Sequence, residues 1–360
     1  MKPYCKNIVS LLLVFILLTG VQARVSAQLH AGLKGSVQRI KVHGKGLEGN
    51  LEGSSPDRDV SVYLPPGYKT NPQKRYPVVY LLHGYTDTDA KWYGFEEHWI
   101  NLPRIVDSVF AAGGKEMILV TPNAYTRYQG SMYANSVTTG NWEDFVAKEL
   151  VAYIDAHYRT IPKAAGRGLA GHSMGGYGSM RIGQKHPEIF SSVYLLSPCC
   201  LEPFNEPLDS ARMSAIEAVK TVAEFEKSDF MTKIFFALGA AWSPNPTKPP
   251  LFLDLPFENG QLKPMVQAKW WSNMPLVTLD QHFLHLKQLR GFAFDAGDKD
   301  ESIAAAITKL DSTLNQYGLK HHFEVYEGDH LNRIGERIAQ KMLPFFAERL
   351  TFAATKNSSK

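Results

Sequence analysis

One stretch constrains this chain more than any other: Gly168-Leu169-Ala170-Gly171-His172-Ser173-Met174-Gly175-Gly176-Tyr177. Its centre reads G-x-S-x-G. The residues before Ser173 are those of a buried strand, and Tyr177-Gly178-Ser179-Met180-Arg181-Ile182 can continue as a helix. A serine on so sharp a strand-to-helix turn needs small neighbours two residues away on either side. Gly171 and Gly175 meet that need, and Gly176 lets the helix lie close to the sheet. The Ser173 hydroxyl then projects at a helix N-terminus, where backbone N–H groups can receive developing negative charge. The alternative is a glycine-rich turn that holds a serine by chance, and partners further along the chain decide between the two.

A serine hydroxyl is a poor nucleophile until a base takes its proton, and the base works best when a carboxylate fixes its tautomer. On a sheet of this type the order is Ser, acid, His, with each group on a loop after a strand. Here the strand Gly291-Phe292-Ala293-Phe294-Asp295 runs into Ala296-Gly297-Asp298-Lys299-Asp300-Glu301. The strand His322-Phe323-Glu324-Val325-Tyr326 runs into Glu327-Gly328-Asp329-His330. His330 is the expected base. His321 and His322 lie at the other end of that strand and should be far from the serine, while His172 should point elsewhere. Asp295, Asp298, Asp300 and Glu301 compete for the role of acid. A tetrahedral intermediate also needs two backbone donors. One is the N–H of Met174. The other is expected in the loop Leu82-His83-Gly84-Tyr85-Thr86, at the Tyr85 N–H.

The surrounding chain supports a mostly parallel α/β sheet. Val37–Val42 and Arg58–Leu64 alternate in character and read as half-exposed antiparallel edge strands. Tyr76–Leu82, Met117–Val120 and Val193–Leu196 are continuous apolar runs, as expected for strands covered on both faces. Helical patterns separate them. Asn141 can cap a helix with Glu143 and Asp144 in its first turn, and Val146, Leu150, Ile154 and Tyr158 give that helix one buried face. Between Cys200 and Leu289 the rhythm breaks. Helices are expected over 208–223, 229–241, 265–271 and 276–290, separated by the irregular Trp242–Pro250. This insertion, about 201–289, reads as a helical cap over the mouth of the sheet. Its aromatics include Phe204, Trp242, Phe252, Phe257, Trp270 and Trp271; some must form its own small core, and Trp242 is a candidate to border a substrate pocket. A last helix is expected over 331–349, and the tail 356–360 should fray.

At the N-terminus, Lys2 and Lys6 precede the apolar run Ile8–Leu18, and small residues end at Ala27. This pattern is expected of a secretory leader spanning 1–27, followed by one domain over 28–360. The run is short for a bilayer span. Without Lys2, Lys6 and Arg24 the chain carries 36 basic and 35 acidic residues, a formal charge of +1. That balance gives no electrostatic case for nucleic acid or an anionic membrane. Of three cysteines, Cys5 belongs to the leader. Cys199 and Cys200 are adjacent, a spacing that rarely closes an ordinary disulfide, and are expected to pack at a strand end. Asp280, His282 and His285 could share a helical region, but they are a weak metal set. No phosphate loop or dinucleotide fingerprint occurs, and neither metal nor cofactor is expected.

Val62-Tyr63-Leu64-Pro65-Pro66-Gly67-Tyr68, Tyr80-Leu81-Leu82-His83-Gly84, Gly171–Gly176, Gly297-Asp298-Lys299-Asp300 and His330 together resemble the putative-esterase (esterase D-like) family of α/β-hydrolases. That family includes feruloyl esterases, S-formylglutathione hydrolases, enterochelin esterases and mycolyltransferases. The resemblance covers roughly 35–200 and 290–350. It implies an α/β-hydrolase fold and, through its G-x-x-D turn, favours Asp300 as the acid. It also points to Asn135 and Trp142 as residues bordering the pocket. The activity implied is that of an exported serine esterase acting on a small or polysaccharide-linked ester, feruloyl or acetyl for example. Alternatives are a thioesterase of the S-formylglutathione type, an acyltransferase, and a non-catalytic carbohydrate-binding protein on the same frame. The long insertion departs from compact members of the family.

Overall fold

The continuous apolar runs become the inner strands of one eight-stranded sheet, seen in the computed structural model, which describes residues 30–203 and 208–353. The strands are β1 (Ser36–His43), β2 (Asp57–Leu64), β3 (Val78–Leu82), β4 (Ile118–Pro122), β5 (Arg167–His172), β6 (Ser192–Leu196), β7 (Gly291–Gly297) and β8 (His322–Tyr326). Their spatial order is β1-β2-β4-β3-β5-β6-β7-β8. Strands β3 to β8 pair in parallel, whereas β2 runs antiparallel to both β1 and β4. β1 forms the half-exposed edge expected of it. β2 does not: it lies inside the sheet, and Val60 to Leu64 are buried because β4 covers its second side.

Helices cover both faces, and the two-residue period of a strand sorts side chains between them. Val79 and Leu81 of β3 point into a core built with Val106 and Phe110 of α1 (Leu102–Ala111) and Phe346 near the C-terminus. Tyr80 and Leu82 point the other way, toward Phe145 and Leu150 of α2 (142–157) and Tyr177 of α3 (Met174–Gly183). α2 departs from a plain α-helix, since Phe145–Leu150 form a π-helical segment. Apolar residues at every fourth position would drift about 40° per step on a 3.6-residue helix. The wider turn offsets that drift and keeps Val146, Leu150 and Ile154 buried together. Asn141 makes no capping bond. Asn135, paired with it across a short bridge, supplies the acceptor instead: its Oδ1 receives the Asp144 N–H at 3.1 Å.

The insertion between β6 and β7 contains α4 (Ser210–Glu217), α5 (Val222–Lys227), α6 (Phe230–Trp242) and α7 (Pro264–Ser272). The helix expected over 208–223 is interrupted because Thr221 and Glu224 form a capping box that starts a new one. The stretch expected as helix over 276–290 holds only short turns at Asp280–His282 and Phe283–Leu286. Its start is drawn to the turn after β6, where the Leu276 N–H meets the Leu201 carbonyl at 2.9 Å. After β7 comes α8 (Glu301–Gln316), and after β8 comes α9 (334–349). α9 begins three residues later than expected because the Asp329 carboxylate accepts the N–H groups of Leu331 and Asn332, keeping His330 in a turn. The leader, Phe204 and the tail 356–360 lie outside the described residues.

Candidate active site

Ser173 joins β5 to α3 with φ 56° and ψ −115°. This is a strained conformation for a residue with a side chain, and close backbone packing holds it. A Cβ on Gly171 would stand 2.2 Å from the Gly175 carbonyl oxygen, and one on Gly175 would stand 1.9 Å from that of Leu82. Neither position has room for any other residue. The Ser173 N–H donates to the Leu196 carbonyl of β6 at 3.0 Å, and its own carbonyl receives the N–H groups of Tyr177 and Cys199.

His330 Nε2 lies 2.9 Å from Ser173 Oγ, and His330 Nδ1 lies 2.5 Å from Asp300 Oδ2. Three side chains from β5, β7 and β8 thus meet at one rim of the sheet. The acid and histidine loops are laced together: Asp298 N–H to Tyr326 O at 2.8 Å, Lys299 N–H to Gly328 O at 2.9 Å. Asp298, the nearest competitor, spends Oδ1 on the Gly328 N–H at 2.9 Å. Asp295 is buried and receives the Tyr194 hydroxyl and the Arg337 guanidinium; burial pushes its carboxyl up to about 6 against the pull of Arg337. Glu301 is exposed at the start of α8.

The loop after β3 lies beside the serine, since a Cβ on Gly84 would stand 3.6 Å from that of Ser173. Neither the Tyr85 N–H nor the Met174 N–H has an acceptor among the described residues. The buried His83 stiffens this loop. Its Nδ1 bonds the Gly84 carbonyl at 2.8 Å, Nε2 receives the Ala124 N–H at 2.9 Å, and the Tyr133 hydroxyl donates to its carbonyl. Burial lowers the pKa of its imidazole and favours the neutral form this pattern requires.

His172, expected to point elsewhere, instead touches the site directly. Nε2 bonds the His330 carbonyl at 2.9 Å, and its ring lies 4.7 Å from the His330 ring and 5.7 Å from Trp99. Burial, with a smaller push from His330, brings its pKa down to about 3. It is therefore a neutral donor bracing the loop of the expected base. Trp99, Leu331 and Phe230 are exposed apolar side chains nearby: Trp99 packs on His172, Leu331 follows His330, and Phe230 packs on Tyr85 with ring centres 5.8 Å apart. The exposed aromatic that opens α6, directly after its Asp229 cap, was the available signal for Phe230.

The three residues expected to border substrate make structural contacts of their own. Asn135 is exposed and caps α2. Trp142 is 1% exposed, bonds the Thr139 carbonyl and packs against Phe145 and the Arg58 guanidinium. Trp242 is 3% exposed, between Tyr177 and Trp270. His285 bonds the Gln184 carbonyl, and among the described residues no three His, Cys, Asp or Glu side chains gather as a metal set.

The sheet order and the strand–serine–helix turn define the class: this is an α/β-hydrolase fold. Residues 54–334 match the family described as "Putative esterase", and the chain belongs to that family. Among curated relatives, Esterase Rv1288 of Mycobacterium tuberculosis (strain ATCC 25618 / H37Rv) is 33% identical over 135 residues, 37% of this chain and 27% of that protein. An endo-1,4-beta-xylanase/feruloyl esterase of Xylanibacter ruminicola is 31% identical over 150 residues, 41% of this chain and 20% of that protein. The matched stretch is thus about a quarter or less of either relative. Among solved structures, a ferulic acid esterase aligns with a TM-score of 0.61 at 22% identity, over 89% of this chain and all of the other. An S-formylglutathione hydrolase from Agrobacterium tumefaciens aligns with a TM-score of 0.58 at 17% identity, over 89% and 98%. At these identities the likeness is one of fold.

Proposed function

We propose that this protein is an exported serine carboxylic-ester hydrolase acting on feruloyl or acetyl esters of polysaccharide. Ser173 Oγ attacks the ester carbonyl carbon while His330 Nε2 takes its proton, and Asp300 holds the Nδ1–H and stabilises the imidazolium. The Met174 and Tyr85 N–H groups receive the oxyanion. His330 returns the proton to the departing alcohol, then activates a water that releases the acyl group from Ser173. The observation carrying this reading is the unbroken hydrogen-bonded chain from Ser173 through His330 to Asp300. Exposed Trp99 and Phe230 beside it support an aromatic acyl group, and the leader-like stretch 1–27 supports export.

The test is hydrolysis of p-nitrophenyl acyl esters, methyl ferulate and acetylated xylan. Ser173→Ala should lower turnover by about 10⁶-fold and leave the far-UV spectrum unchanged. Retained activity in that variant would remove Ser173 as the nucleophile. Cleavage of acetylated xylan with no action on methyl ferulate would exclude the aromatic acyl group.

A further inference from the structure

Cys199 and Cys200 follow β6 in the turn packed behind the Ser173 elbow. Their Sγ atoms are 2.9 Å apart, well inside ordinary contact between two sulfur atoms. Consecutive Cα atoms across a trans peptide are about 3.8 Å apart, closer than the ~4.4 Å at which ordinary disulfides begin. Two neighbouring cysteines can therefore bring their sulfurs together only if the backbone between them twists sharply. It does: Cys200 has φ 59° and Ser197, at the start of the turn, φ 41°. Both residues are partly exposed.

The turn is fastened to the site. The Cys199 N–H donates to the Ser173 carbonyl at 3.2 Å, and a Cβ on Gly176 would stand 2.9 Å from the Cα of Pro198. The thiol of Cys199 lies within the field of Asp300; its hydrogen bond with Cys200, then burial, push its pKa up.

We propose that Cys199 and Cys200 are a site of reversible disulfide closure between adjacent residues, directly behind the nucleophile. The oxidant is a disulfide, either oxidised glutathione or a protein disulfide donor. The Cys200 thiolate attacks one sulfur of the donor and expels the other as a thiolate, forming a mixed disulfide. The Cys199 thiolate then attacks Cys200 Sγ and expels the second donor thiolate. Two protein thiols are oxidised by two electrons, one donor disulfide is reduced to two thiols, and the two protons go to those thiols. The ring closes almost no chain, so loop entropy contributes little to global stability; its effect is local, on the turn that holds the elbow.

The experiment uses the full chain carrying Cys5→Ser, so that the pair are the remaining cysteines, equilibrated with excess oxidised glutathione, quenched in acid and weighed intact. Closure is read as the loss of two hydrogens from a monomer, with no glutathione attached and no thiol left for iodoacetamide in denaturant. Reductant should restore both thiols. Adding Cys199→Ser should leave Cys200 without a resolving partner, so one glutathione should remain attached. Two alkylatable thiols, a persistent glutathione adduct on the pair, or disulfide-linked dimers would each overturn the proposal. The readout is mass, so its outcome is independent of whether Ser173 cleaves esters.

Discussion

The rim that carries Ser173 and the insertion between β6 and β7 hold their side chains by different means. At the rim, backbone does the holding. Gly175 packs on the Leu82 carbonyl, Ser173 is tied through its own N–H and carbonyl, and the loops bearing Asp300 and His330 exchange main-chain hydrogen bonds. In the insertion, aromatic packing does it. Trp242, Trp270, Phe235 and Phe257 meet with ring centres 5.5 to 6 Å apart or close to it, continuous with Tyr177 beneath them. Backbone fastening sets positions within tenths of an ångström and tolerates few changes of residue. Ring packing sets volume and tolerates more, at a cost in stability.

That contrast can be broken, and the sharpest break is at the acid. Asp300→Asn should lower kcat by about 10⁴-fold, because the amide no longer fixes the tautomer of His330. Asp298→Asn keeps an acceptor oxygen for the Gly328 N–H and should lose less than about tenfold. A larger loss at Asp298 would transfer the acid role to it. In the insertion, Trp270→Ala removes a buried ring and its 2.8 Å bond to Ser243. It should cost about 3–5 kcal/mol in chemical denaturation, within one cooperative transition because the aromatic cluster is continuous with the main core. A separate early transition would mark the insertion as an independently folding unit. The smallest effect is expected at Phe230, 58% exposed. Phe230→Ala should leave the denaturation midpoint unchanged and raise KM for methyl ferulate about three- to tenfold, the value of one aromatic contact, while KM for p-nitrophenyl acetate stays put. Equal changes for both esters would separate Phe230 from acyl recognition.

The parts of the fold legible in the sequence are those whose signals are local. Apolar runs gave the inner strands, because a strand covered on both faces has no polar alternation to disguise it. The elbow was legible because only glycine fits at 171 and 175. Meeting of Ser173 with His330 followed from chain order on a parallel sheet. What stayed hidden depends on contacts across the sequence. β2 looks like an edge until β4 is known to cover it. The cap of α2 comes from Asn135, which a short antiparallel bridge brings opposite Asn141. Among Asp295, Asp298 and Asp300, hydrogen-bond partners distinguish the groups, and those partners lie far along the chain, on β6, on α9 and in the loop after β8. His172 is the extreme case: nothing near it in the chain announces that its imidazole will meet a carbonyl 158 residues away.

That last contact has a bearing on how the molecule moves. His172 immediately precedes Ser173 and grips the main chain of residue 330, so both ends of the Ser173–His330 hydrogen bond are referenced to one footing at the tip of β5. A shift of that strand tip should therefore carry hydroxyl and imidazole in the same direction, with their separation varying less than either absolute position. A transplant of this machinery onto another scaffold would keep its alignment under thermal motion only if the residue before the serine travelled with it.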